Sequence, residues 1–157
     1  MQTAEIKKNV ERLTWLALLV MVGGTLAKAN EWDALAIQQT DAYRNISGGI
    51  LGSIIVLQWW LSIARIIFQS SGNSWDRWVK FHHYLALLLP FATLAHSLQL
   101  GYGLLAILPL VLLTASIAGA RIDEKSSNNQ FLHVHIVCSA LTLILTLVHV
   151  FMVVMYR

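Results

Sequence analysis

Five apolar runs dominate the chain, and short polar segments between them hold nearly all of its charged side chains. The runs cover residues 13–28, 46–68, 80–100, 104–120 and 130–156. A helix rises about 1.5 Å per residue, so about 20 apolar residues cross a hydrocarbon core of about 30 Å. The first run, Leu13 to Ala27, is short and needs Arg12 and Lys28 to snorkel at its ends. The second continues past Arg65 to Phe68. Only Gly101-Tyr102-Gly103 joins the third run to the fourth, which predicts antiparallel neighbours. Arg121 to Gln130 reads as a polar surface loop. The pattern predicts an all-α integral membrane protein: a single transmembrane domain over 1–157 with five transmembrane helices.

Composition agrees. Hydrophobic residues make up 57% of the 157 and charged ones only 12%, too apolar for a soluble domain of this length. The net charge of +3 is small, and its basic residues sit at run ends, so nucleic acid is excluded as a partner in favour of a lipid membrane. The lone cysteine, Cys138, cannot form an internal disulfide and reads as a small core residue. Lys7, Lys8 and Arg12, then Arg65, Arg77 and Lys80, then Arg121 and Lys125 occupy alternate connections. The opposite connections hold Lys28 and Arg44 beside Glu31, Asp33 and Asp41. The positive-inside rule then sets a cytoplasmic N-terminus and an outer C-terminus, with a bacterial inner membrane as the expected location. A basic start followed by a short apolar run also fits a cleavable signal peptide, but a retained span is expected.

The chemistry lies in the histidines. His82 stands fourteen residues before His96 in the third run, and His135 fourteen before His149 in the fifth. Fourteen helical steps of about 100° end about 40° short of four turns and rise about 21 Å. Each pair therefore shares a helix face, one imidazole near each edge of the bilayer. The third and fifth helices run in the same direction, which puts His82 level with His135 and His96 level with His149. Zinc is disfavoured, since its ligands must converge within about 2 Å of one ion. Bis-histidine ligation of two stacked haem irons fits, with one imidazole from each helix per haem. His83 stands thirteen residues from His96, about 140° off a common face, and His133 sixteen from His149, about 160° off. Spacing thus favours His82 and His135, although Pro90 inside the third run weakens the angle there. A proton relay or a transporter built on intramembrane histidines is the alternative.

Lesser features surround this pattern. Cys138, Ser139, Thr142 and Thr146 are small residues on or near the His135–His149 face, with room for a porphyrin or ordinary helix packing. Gly48 with Gly52 and Gly49 with Ser53 give small-residue spacing on the second helix. Arg65, Arg77, Lys80 and Arg121 gather at the cytoplasmic edge, where topology alone, or haem propionates, would put them. Trp15, Trp59, Trp60, Trp75 and Trp78 read as interfacial anchors.

With these residues in view, the stretch from about Ser47 to Arg157 resembles the di-haem membrane cytochromes b. That class includes respiratory cytochrome b and the transmembrane domain of ferric reductases and NADPH oxidases. Phe81-His82-His83-Tyr84 followed by His96 is most similar to the ferric reductase type. The resemblance implies a four-helix bundle of helices 2–5 around two b-type haems, ligated by His82, His96, His135 and His149. It implies electron transfer between a quinol or partner-subunit donor and an acceptor at the opposite face. The alternative is a stand-alone reductase of ferric chelates, quinone or oxygen species. Oxidoreductase or subunit of one is left open. No glycine-rich dinucleotide motif occurs in these residues, so electrons are expected from quinol or a partner rather than from a nicotinamide.

Overall fold

A computed structural model describes residues 3–28, 32–68, 73–100, 104–122 and 130–156. The fold is all-helical: α1 (Thr3–Leu26), α2 (Asp41–Phe68), α3 (Asn73–His96), α4 (Leu104–Ala120) and α5 (Gln130–Met155). A short 3-10 segment, Asp33–Gln39, precedes α2. Two helical stretches, Asp41–Ala64 of α2 and all of α5, are long and apolar enough to cross a membrane. α4 carries no charged residue but is shorter, at 17 residues.

Several boundaries differ from the hydropathy pattern, and each difference has a local cause. α1 starts ten residues before the first apolar run, because Ile6 and Val10 are buried at 1% and 3% exposure although charges surround them in sequence. α2 starts at Asp41 because Thr40 caps it: the Tyr43 backbone N–H donates to Thr40 Oγ1 at 3.3 Å. Asp41 in the first turn adds favourable charge at that helix end. α3 begins at Asn73 and stops at His96, where Ser97 Oγ accepts from the Gln99 backbone N–H at 3.1 Å in a tight turn. The Gly101–Gly103 turn, Lys125 and most of the expected Arg121–Gln130 loop lie outside the described residues.

Cross-helix hydrogen bonds fix the directions. At one end Lys7 Nζ donates to the Ile122 carbonyl at 3.1 Å, so α1 and α4 are antiparallel. At the other, the Leu100 N–H donates to Thr25 Oγ1 at 3.0 Å, so α1 and α3 are parallel. Tyr43 Oη donates to the Ala95 carbonyl at 2.9 Å, which sets α2 antiparallel to α3. α5 runs alongside α4 with its His135 end beside Gly119, so α5 is parallel to α3.

The neighbour relations correct one expectation. α3 and α4 do not lie side by side along their length; α1 packs along both and sits between them. α1 can do so because Ile6, Val10, Thr14, Ala17 and Met21 form one buried stripe at helical spacing, with small side chains at its middle. The first helix is therefore part of the packed core alongside helices 2–5. The core cluster of Leu51, Ile54, Ile55, Leu89 and Leu112 joins α2, α3 and α4, with Trp59 and Ala92 packed against it. Outward faces stay apolar: Leu19, Val137, Ile144 and Leu147 are each more than half exposed. Three buried threonine hydroxyls on the inward faces are satisfied within their own helices. Thr14, Thr93 and Thr142 each donate to the carbonyl four residues earlier at 2.7–2.8 Å.

Candidate functional site

The parallel course of α3 and α5 brings four histidines into two layers. The rings of His82 and His135 lie with centroids 6.2 Å apart and planes at 89°. Those of His96 and His149 lie 6.4 Å apart at 78°. Leu89 and Thr142 fall seven residues from both histidines of their own helices, and both are buried, so packed side chains separate the layers. Fourteen residues of helix put the layers about 21 Å apart along the axis.

Two of the four imidazoles are fixed by the neighbouring helix. His135 Nδ1 lies 2.8 Å from the Ala115 carbonyl oxygen of α4. A carbonyl only accepts, so Nδ1 carries a hydrogen, and in the neutral ring that leaves the lone pair on Nε2. Gly119, one turn after Ala115, opens the way: a Cβ there would stand 2.9 Å from His135 Nδ1 and 3.0 Å from Cε1. On the other layer, His96 Nδ1 lies 3.1 Å from Ser47 Oγ of α2. Gly48 provides the clearance there, since its Cβ would meet His96 Cε1 at 3.1 Å.

The ring separations bear on whether a metal ion could lie between the members of a pair. Imidazole–metal bonds of about 2.0–2.1 Å, with about 1.2 Å from nitrogen to ring centre, put two rings across one ion about 6.4 Å apart. Both observed separations are of that size, and so is the edge-on contact of His82 with its own neighbour His83 at 6.1 Å. Among the described residues no three His, Cys, Asp or Glu side chains converge on one point, so the arrangement is two facing pairs. Two imidazoles side by side in each layer, with glycine clearance beside one of them, are a donor set that would suit a bis-histidine macrocycle iron.

His83 packs edge-on against His82 with centroids 6.1 Å apart and is not the ring facing His135. His133 is exposed. Of the basic residues, Arg77 and Lys80 are exposed on the first turns of α3. Arg121 Nε donates to Glu11 at 2.8 Å and its guanidinium lies 5.8 Å from the Phe131 ring centroid, so its charge is already matched. The Arg65 side chain lies outside the described residues. Trp59 is not at a helix end but inside, where Nε1 donates to the Ser139 carbonyl of α5 at 3.3 Å. Gln58 Nε2 donates to the His82 carbonyl at 3.3 Å, while Gln58 Oε1 and Thr146 Oγ1 are buried without a partner among the described residues.

Sequence reasoning missed Ser47, Ala115 and Gly119. The one available signal was a glycine interrupting an apolar run at the depth of a histidine on the adjoining run. Gly48 met that description but read equally well as packing.

Comparison of the chain with protein-family models, with curated proteins and with solved structures finds no match.

Proposed function

We propose that this chain is a transmembrane electron-transfer protein that holds two b-type haems, one between His82 and His135 and one between His96 and His149. The observation that carries the reading is the duplicated facing of imidazoles at 6.2 and 6.4 Å on two parallel helices. When bound, each haem supplies a reversible one-electron iron couple. The protein's part is ligation, orientation and exclusion of water. Ala115 and Ser47 hold one imidazole of each layer in a defined orientation, and the Leu51–Leu89–Leu112 cluster keeps the space between layers dry.

In this reading α1 to α5 are the five spans expected from hydropathy. The outward apolar faces of α2 and α5 meet lipid, and the basic ends of α1, α3 and α4 lie on the cytoplasmic side. Quinol or a partner subunit is the donor, and the acceptor lies at the opposite face.

The test is haem stoichiometry on purified protein by the pyridine haemochrome assay, followed by histidine replacement. Two haems per chain are expected, without covalent attachment. His96→Ala and His149→Ala should each remove the same haem, and His135→Ala the other. One haem or none in the unaltered chain overturns the proposal. So does loss of the same haem from His135→Ala and His149→Ala.

A further inference from the structure

We propose that Ser47 is a positioning residue that fixes the tautomer of His96, so that each layer contains one locked and one unlocked imidazole, on opposite helices. The locked members are His96 on α3 and His135 on α5. The role in iron ligation rests on the function proposed above; the tautomer itself does not.

The assignment follows from counting protons on Ser47. Its hydroxyl has one, and Oγ lies 2.8 Å from the Tyr43 carbonyl and 3.4 Å from that of Arg44. Both carbonyls only accept, and the 2.8 Å contact to Tyr43 is shorter than the 3.1 Å contact to His96, so we place the hydroxyl proton on the α2 backbone. Toward His96 Nδ1, 3.1 Å away, Oγ can then only accept. Nδ1 must carry the hydrogen, and Nε2 is left with its lone pair. His135 reaches the same state through the Ala115 carbonyl. Among the described residues the rings of His82 and His149 make no hydrogen bond, so neither tautomer is fixed there.

The brace at Ser47 is stiff. Tyr43 Oη donates to the Ala95 carbonyl at 2.9 Å, and Gln38 Nε2 reaches the carbonyls of Leu94 and Ala95 at 3.4 and 3.3 Å. The start of α2 is thus pinned to the last turn of α3, beside His96. A hydrogen bond donated from Nδ1 makes Nε2 a stronger electron donor toward a metal. Each layer would then combine one firmly aimed, more basic ligand with one that no hydrogen bond orients.

Two readouts decide the matter. In the haem-free full chain with ¹⁵N-labelled histidine, two-bond nitrogen–proton correlation spectra report the tautomer of every ring. His96 and His135 should both show the Nδ1–H form. Ser47→Ala should release His96 alone into a mixture, Ser47→Thr should restore it, and Tyr43→Phe should leave it locked. A predominantly Nε2–H His96 overturns the proposal, as does a Ser47→Ala spectrum unchanged at His96. In the haem-loaded protein, Ser47→Ala should raise the midpoint potential of the His96–His149 haem and leave the other unmoved. Equal shifts of both haems would mean a general loosening and overturn the positioning role. If the chain bound no haem, the proposed function would fail while the tautomer spectra still decided the role of Ser47.

Discussion

The two histidine layers arrive at similar geometry by different means. In the His82–His135 layer the locked imidazole leans on a backbone carbonyl, and the brace lies only twenty residues away in sequence. In the His96–His149 layer it leans on a side-chain hydroxyl forty-nine residues away. Each histidine-bearing helix is braced by the antiparallel helix that precedes it, α2 for α3 and α4 for α5. The bracing falls at the C-terminal end of one ligand helix and the N-terminal end of the other, so the supports lie diagonally. A carbonyl cannot be removed by substitution, whereas a hydroxyl can. The two layers should therefore fail in different ways.

The sharpest break is expected from Gly119→Ala. The added methyl would stand about 3 Å from the His135 ring, which must swing away and give up Ala115. Replacing a helical glycine by alanine gains about 1 kcal/mol of helix propensity, which offsets much of the strain. Haem content should fall from two to one per chain with the thermal midpoint almost unchanged. Retention of both haems would show that the clearance is immaterial. Gly48→Ala should be milder, since its nearest contact is with Cε1 at 3.1 Å and only the hydroxyl brace is disturbed. Partial loss of the His96–His149 haem, visible as a reduced low-temperature α-band component, is the expected result. An effect larger than that of Gly119→Ala would reverse the ranking of the layers. The smallest effect is assigned to Arg121→Ala. Its pairing with Glu11 is substantially exposed, so about 0–1 kcal/mol of stability is at stake. Both haems should remain at unchanged potentials. A shift confined to the His82–His135 haem would restore Arg121 as a propionate partner.

What the sequence made legible follows the same division. Helical runs and histidine spacing are properties of one chain segment at a time, and α4 spans the residues expected from its uncharged stretch. The level facing of His82 with His135 needed only helix direction in addition. Ser47 and Gly119 matter solely through the helix opposite, and no local pattern distinguishes them from packing residues. The pairing of Arg121 with Glu11 was not legible, because position at a membrane edge says nothing about which acidic side chain lies opposite. The insertion of α1 between α3 and α4 was hidden by the charges that flank Ile6 and Val10. Those charges made the buried part of the helix look like a solvated leader.

That insertion has a consequence for how the protein is made. In the proposed membrane setting α1 leaves the ribosome well before α3 and α4, the helices that cover its inner stripe. Translation proceeds at about 5–20 residues per second, so α1 waits several seconds in lipid with that stripe bare. An unsatisfied hydroxyl would be costly through such a wait. Thr14, the most completely covered side chain of the finished stripe, already donates to Val10 of its own helix and needs no later partner. The buried stripe of the first helix thus carries no hydroxyl that waits for a later partner, and α3 and α4 can close over it without a polar group having to change hands there.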